Sequence, residues 1–277
     1  MAVPMANPGQ LDVAHLTSRL SLPPRSWTSV QVFDELGSTN ALAMERGQAW
    51  EVLVTEHQSA GRGRLDRSWG TPAGTSLTFS ATVPAPVDAV GWLPLIAGLA
   101  VAEAVQALTG LRAALKWPND VLLTSAGNRK VCGILCEYRP ASEPTGALVV
   151  VGIGINISQT RVQLPVATAT SLALAGAGDV DREDLLVTVL DRFATRYAAL
   201  RAGGPAADGV RAAYRSACVT VGTRVRLERP GREPCLADAV DLDHDGALIV
   251  DDGSGRVRYA AGDVTHLRPA SDDGGLA

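Results

Sequence analysis

The chain has 277 residues, 46 % of them apolar, and a formal net charge of −4. That length accommodates one large or two smaller domains around a real core, and the acidic balance excludes a broad basic footprint for duplex nucleic acid. Four cysteines (132, 136, 218, 235) are too few for a disulfide framework, the N-terminus lacks a basic stretch followed by an apolar core, and the longest apolar run, Trp92–Leu108, carries Glu103 and Gln106; a cytoplasmic protein without a membrane span is expected.

Residues 1–10, with Pro4, Pro8 and Gly9, read as a loose tail. Leu11, Leu16 and Leu20 mark one short helix, stopped by Pro23-Pro24. The first core strand is Ser29–Leu36, and the stretch before it leaves too little chain for a helix-turn-helix domain. In Gly37-Ser38-Thr39-Asn40, Ser38 is a good N-cap for a helix through Ala41, Leu42 and Met44. The same hydroxyl and amide groups are candidate ligand contacts beside a strand end, and these residues alone leave both readings open. Val52–Thr55 reads as a buried strand leading to Gln58.

Next comes Gly61-Arg62-Gly63-Arg64-Leu65-Asp66-Arg67-Ser68-Trp69, with three arginines in six residues. Arginine is always charged, and its planar donors suit phosphate and carboxylate oxygens; the glycines let backbone approach a ligand closely. The segment has no apolar alternation and is expected to be a loop in which nothing packs; taken alone it is either a solvated basic turn or a lid, mobile until a polyphosphate orders it.

Thr75–Val83 reads as a strand, Trp92–Thr109 as a helix ending at Gly110, and Leu111–Lys116 as a strand again. Lys116-Trp117-Pro118-Asn119-Asp120 interrupts that strand before Val121–Leu123 resumes it. Pro118 predicts an edge or a bulge that re-aims Asn119 and Asp120 into a pocket. Ser125–Arg129 reads as a hairpin turn into a strand Lys130–Glu137 containing Gly133; Lys130 either snorkels to water or faces a ligand. In Ala147–Ile157 one face collects Val149, Val151, Ile153, Ile155 and Ile157, and the other Gly152, Gly154 and Asn156. The bare face is either a floor for a flat ligand or the seat of a close-packed crossing element.

Asp181–Leu200 reads as an amphipathic helix, broken by Gly203-Gly204-Pro205, with a shorter helix over Asp208–Ala217. From Val219 to Leu267 short strands alternate with turns at His244-Asp245-Gly246 and Gly253-Ser254-Gly255, the pattern of a small antiparallel barrel. The expected organisation is a tail and short helix (1–25), a catalytic domain (26–217), a barrel (218–268) and a tail (269–277).

Several chemistries are excluded. There is no P-loop motif, the arginine loop fails G-x-G-x-x-G, and no His/Glu pair has zincin spacing. Cys132 and Cys136, four apart on one strand face without a histidine nearby, read as core cysteines, so no protein metal site is expected. A lysine, three arginines and a carboxylate such as Asp120 remain, a set suited to bringing two anions together, as when a carboxylate attacks the α-phosphate of ATP.

At this point the chain resembles the biotin–protein ligases (biotin–[acetyl-CoA-carboxylase] ligases). The segments that carry the resemblance are Gly37–Asn40; Gln58 with Gly61–Trp69; Lys116–Val121; Arg129–Glu137; and Gly152–Asn156, in the family's order. The resemblance implies an α/β (α+β) fold: a mixed sheet flanked by helices in a class II synthetase-like catalytic domain, plus a C-terminal SH3-like β-barrel. It implies formation of biotinyl-5′-AMP from biotin and ATP, with Mg²⁺ accompanying the ATP, then transfer of biotin to one lysine of a biotin carboxyl carrier protein or domain. The carrier would belong to acetyl-CoA or acyl-CoA carboxylase, with pyruvate carboxylase a further candidate, and neither DNA nor membrane would be a partner; the monofunctional type is expected.

By motif, biotin would meet Ser38, Thr39, Asn40, Gln58, Gly61, Arg62, Gly63, Arg64, Lys130, Gly133, Gly152 and Gly154. ATP would meet Arg62, Arg64, Arg67, Trp69, Lys116, Asn119, Asp120, Lys130 and Asn156. Lys130, Arg64 and Asp120 would be catalytic. Leu65 and Asp66 fall at variable positions of the motif. A lipoate–protein ligase is the nearest rival, disfavoured by the complete arginine loop and Lys-Trp-Pro-Asn-Asp. A non-enzymatic nucleic-acid module is disfavoured by the acidic balance and by aromatics at 4 %.

Overall fold

A computed structural model describes residues 11–21, 27–64, 67–86, 89–142, 146–229, 232–260 and 266–269. Helix α1 (Val13–Leu20) is capped by Asp12 and buries Leu16 and Leu20; the expected stop at Pro23-Pro24 lies outside the described residues. Strands β1 (Ser29–Leu36) and β2 (Glu51–Gln58) run parallel, joined by α2 (Thr39–Arg46). Helix α2 starts at the predicted Ser38 cap and ends at left-handed Gly47. Then follow β3 (Ser76–Pro84), α3 (Leu93–Thr109), β4 (Ala113–Lys116), β5 (Asp120–Leu123), β6 (Arg129–Ser142) and β7 (Gly146–Asn156). They complete a seven-stranded sheet of order β1-β2-β3-β7-β6-β5-β4, antiparallel after the first pair.

The two faces of this sheet differ because side chains alternate along each strand. Leu77, Phe79, Ala81 and Val83 of β3 and Val149, Val151, Ile153 and Ile155 of β7 join the main core with α3 and with α4 (Arg182–Ala202). Helix α3 is apolar and largely buried from Leu93 to Ala102, while Glu103 and Gln106 mark its more exposed C-terminal end. On the opposite face, α2 covers a small cluster of Ala43, Leu53 and Val150. Beyond that cluster the strands present Ser76, Thr78 and Ser80 beside Asn156, Gly154 and Gly152, which forms a polar floor.

Two expectations are corrected. The Lys116–Asp120 segment is not a bulge within one strand: β4 and β5 are antiparallel partners, so the chain reverses there, through a cis Trp117–Pro118 peptide. Strand β4 is an edge, as Pro118 predicts, and a register shift lies next door between Val121 and Leu122. Helix α5 begins at Gly204, not Asp208, and runs to Ala217 with Pro205 in its first turn. Proline is tolerated there because its missing N–H has no helical partner to lose.

Strands β8 (Arg224–Arg229), β9 (Arg232–Leu242), β10 (Leu248–Asp251), β11 (Arg256–Tyr259) and β12 (His266–Pro269) form an antiparallel sheet of order β11-β10-β9-β8-β12. Its turn at 244–246 grips the larger unit through two indoles. Trp92 Nε1 donates to His244 O at 2.7 Å, and Trp117 Nε1 donates to Gly246 O at 3.0 Å. The Trp117 backbone N–H also donates to Thr220 Oγ1 at 3.0 Å. The Asn119–Asp120 turn is thereby held by the C-terminal unit.

Candidate active site

The polar floor opens into a cavity of about 1070 Å³. Its glycines already have occupants. A methyl group at 152 would overlap the Asn40 amide, one at 154 would overlap the Trp69 indole, and one at 133 would crowd both Trp69 and Lys130. What lies against the bare strand face is therefore Asn40, from the first turn of α2, at Gly152 and the Trp69 indole at Gly154.

At one end, α2 starts against β2 and β3. Thr39 N–H donates to Gln58 Oε1 at 2.8 Å, and the Thr39 hydroxyl lies 3.2 Å from the same oxygen. Fully buried Ser80 places its Oγ 2.7 Å from Thr39 Oγ1 and 2.6 Å from Asn40 Oδ1. Asn40 Nδ2 donates to Leu135 O at 3.1 Å and to Glu137 Oε2 at 2.7 Å, and Arg62 donates to Glu137 Oε1 at 3.1 Å.

The arginine loop has its own frame. Arg62 and Ser68 form an antiparallel bridge, Gly63 N–H donates to Arg67 O at 2.6 Å, and Trp69 N–H donates to Gly61 O at 2.8 Å. The expectation that nothing in this loop packs is overturned by Trp69, whose ring rests on Gly154 and Gly133. Leu65 and Asp66 lie outside the described residues. Burial lowers the Arg64 guanidinium pKa from its usual value; Asp120 opposes that shift and Arg67 adds to it. Arg64, Arg67 and Asp120 thus share one electrostatic neighbourhood.

At the other end, Lys130 Nζ lies 2.6 Å from Asp120 Oδ1, with 31 % of the lysine side chain exposed, and 5.8 Å from the Trp69 ring centroid. It faces the cavity rather than snorkelling away from it. Its backbone is clamped by the segment after β7: Lys130 N–H donates to Thr168 O at 2.9 Å and Thr170 N–H to Lys130 O at 2.8 Å. Asn119 donates to Ile134 O at 2.8 Å and Asn156 to Thr170 O at 2.9 Å, so both amides brace backbone at the wall. Burial pushes the Cys132 and Cys136 thiols up, which favours the protonated, less nucleophilic form. The Asp243–His244–Asp245 group in the C-terminal turn has both carboxylates paired with Arg258.

Every candidate residue predicted from sequence lies on the cavity wall except Gly61, which is buried where a side chain would run into the Trp69 carbonyl and the Gln58 amide. Sequence reasoning missed Ser80 and Glu137 behind the wall, Gln159, Gln163–Val166, Thr168 and Ala169 on it, and Thr220 and Thr223 from the C-terminal unit. One signal was available: Ser76, Thr78, Ser80 and Thr82 alternate with apolar residues, which marks a hydroxyl-bearing strand face.

The chain matches the Biotin/lipoate A/B protein ligase family over residues 35–156 and the Biotin protein ligase C terminal domain over residues 220–267. It is 37 % identical over 271 residues to the biotin–[acetyl-CoA-carboxylase] ligase of Mycobacterium tuberculosis, covering 93 % of this chain and 96 % of that one. The corresponding ligase of Paracoccus denitrificans is 41 % identical over 126 residues, 42 % of this chain and 49 % of that one. Among solved structures, the biotin protein ligase of Aquifex aeolicus in complex with biotin and ATP superposes with a TM-score of 0.73 at 28 % identity, covering 88 % of this chain and 100 % of that one.

Proposed function

The chain belongs to the biotin protein ligases, and from that premise we propose that its cavity joins biotin to ATP and then hands biotin to a carrier lysine. In the first step a biotin carboxylate oxygen bonds to the α-phosphorus and pyrophosphate leaves. In the second the carrier amine bonds to the acyl carbon and AMP leaves. Both reactants of the first step are anions, so the barrier is set by their repulsion and by charge building at the α-phosphate; fixed cations in a partly dry site lower it.

The observation that carries this reading is the convergence of Lys130, Asp120 and Arg64 above a floor of glycines. Lys130 is assigned the bridge between carboxylate and α-phosphate, with Arg64 beside it. Arg67, Lys116 and Asn119 serve the phosphates and nucleotide, and Asn156 shapes that wall. Trp69 packs beside the adenylate. Ser38, Thr39, Asn40 and Gln58 hold the ureido ring, with Arg62, Gly63, Gly133, Gly152 and Gly154 along the tail. Gly61 acts from behind, by letting Trp69 and Gln58 close. Mg²⁺ arrives with ATP, and Asp120, the carboxylate on the cavity wall among the described residues, is the oxygen ligand suited to such a hard cation.

The acceptor is the biotin carrier of a carboxylase, acetyl-CoA or acyl-CoA carboxylase first and pyruvate carboxylase as a further substrate. The net charge of −4 supports a protein partner over DNA, and the free cysteines among the described residues support a cytoplasmic setting. A division near residue 217 is supported by the second family match starting at 220. The test is biotin-dependent exchange of pyrophosphate into ATP, followed by labelling of a carrier domain. Exchange driven equally by lipoate, or none with biotin, overturns the reading.

A further inference from the structure

The hydrogen bonds behind the Thr39 end of the cavity have a single consistent direction. Asn40 cannot be turned over, because its Nδ2 faces two acceptors, Leu135 O at 3.1 Å and Glu137 Oε2 at 2.7 Å; a flip would set oxygen against oxygen at both. Glu137 is itself held by Arg62 at 3.1 Å, so its carboxylate stays an acceptor. Asn40 Oδ1 therefore points at Ser80 Oγ, 2.6 Å away, and an amide oxygen only accepts. Ser80 has one proton, and that contact takes it. The 2.7 Å contact between Ser80 Oγ and Thr39 Oγ1 then needs a proton from Thr39. The competing contact, Thr39 Oγ1 to Gln58 Oε1, is longer at 3.2 Å, and that oxygen already accepts the Thr39 N–H at 2.8 Å.

We infer that Ser80 and Glu137, neither of which lines the cavity, are positioning residues that make the Thr39 hydroxyl an acceptor toward the ligand, and so select a head group that offers an N–H. The inference rests on the biotin-ligase reading of the same cavity. A cyclic urea meets the requirement with its ring N–H groups; a dithiolane ring has no N–H to give. Substituting Ser80 by alanine removes the closer partner of the Thr39 proton and leaves it only the longer 3.2 Å contact with Gln58 Oε1, an oxygen that already accepts the Thr39 N–H, so the hydroxyl is less firmly held and can rotate to donate toward the ligand.

The experiment compares biotin with two cyclic carbamates, each carrying oxygen in place of one ring N–H, in the pyrophosphate-exchange assay. The parent is expected to prefer biotin over one carbamate by on the order of a hundredfold in kcat/KM, since that oxygen would face an acceptor. In Ser80→Ala the preference should shrink at least about tenfold, with KM for ATP unchanged; Ser80→Thr, which keeps the hydroxyl, should restore it. Ser80→Cys, a weaker donor of similar shape, should lie between and serves if the alanine variant does not fold. A merely structural role would lower biotin and carbamate activity by one common factor, and that result overturns the inference, as does a parent that does not discriminate. A parent with no biotin-dependent exchange refutes the ligase reading and takes this inference with it. An active, discriminating parent whose preference survives Ser80→Ala and Ser80→Cys refutes this inference alone.

Discussion

Replacing Lys130 by alanine separates catalysis from folding. The ammonium is 2.6 Å from Asp120, and the two side chains are 31 % and 21 % exposed. A partly exposed pair of this kind contributes about 0–1 kcal/mol to stability, and Arg64 remains in the neighbourhood of Asp120 when the lysine is gone. The melting midpoint of Lys130→Ala should therefore stay within a few degrees of the parent. Adenylation should respond far more. A unit charge about 4 Å from a developing negative charge, at an effective dielectric near 20, is worth ~4 kcal/mol, which is about three decades in rate. Part of that is already spent on Asp120 in the resting site, and only the excess in the transition state accelerates the step. The expected fall in single-turnover formation of biotinyl-5′-AMP is thus on the order of 10²–10³-fold, measured with saturating biotin and ATP on protein whose circular dichroism matches the parent. A folded Lys130→Ala that forms adenylate within about fivefold of the parent rate would refute the electrostatic argument; an unfolded one would show that the lysine belongs to the scaffold.

Arg62→Ala removes the loop's tie to Glu137 and should let preformed biotinyl-5′-AMP escape about tenfold faster on gel filtration, a small barrier change of ~1.4 kcal/mol; equal retention would remove the lid role. In Gly154→Ala the new methyl and the Trp69 indole compete for one volume. Losing that aromatic contact, worth ~2 kcal/mol, should cut kcat/KM for biotin roughly 30-fold, and a near-parental value would mean that Trp69 does not need the floor. Trp117→Phe deletes the hydrogen bond to Gly246 O and part of a fully buried ring. It should cost about 2 kcal/mol in denaturant unfolding, whereas an unchanged midpoint would show that the grip of the C-terminal turn is unimportant.

The sequence carried those features that depend on neighbours along the chain. Helix α3 and the two faces of β7 follow from periodicity, and the Ser38 cap from a short polar pattern. The reversal at Lys116–Asp120 is not legible locally, because extended, apolar residues stand on both sides of Pro118. Whether such a chain bulges or reverses is decided by which strand it pairs with, and that is β6 on one side only. Gly203-Gly204-Pro205 has the composition of a breaker, yet proline in a first turn is also a start signal, and α5 begins at Gly204.

The same distinction runs through the site. Charged and glycine-rich segments declare themselves, so most of the cavity wall was legible. Ser80, Glu137 and Thr220 were not, because each acts through a partner remote in sequence: Thr39 of α2, Arg62 of the arginine loop, and the Trp117 backbone. The glycines show how a correct pattern can carry an incomplete reason. The pattern of Gly152 and Gly154 suits either a ligand floor or a close-packed element, and Asn40 and Trp69 already need that room. A larger residue at either position would dislodge a side chain of the site itself, so the strand face would be held to glycine by the enzyme's own packing before any substrate imposed the same demand.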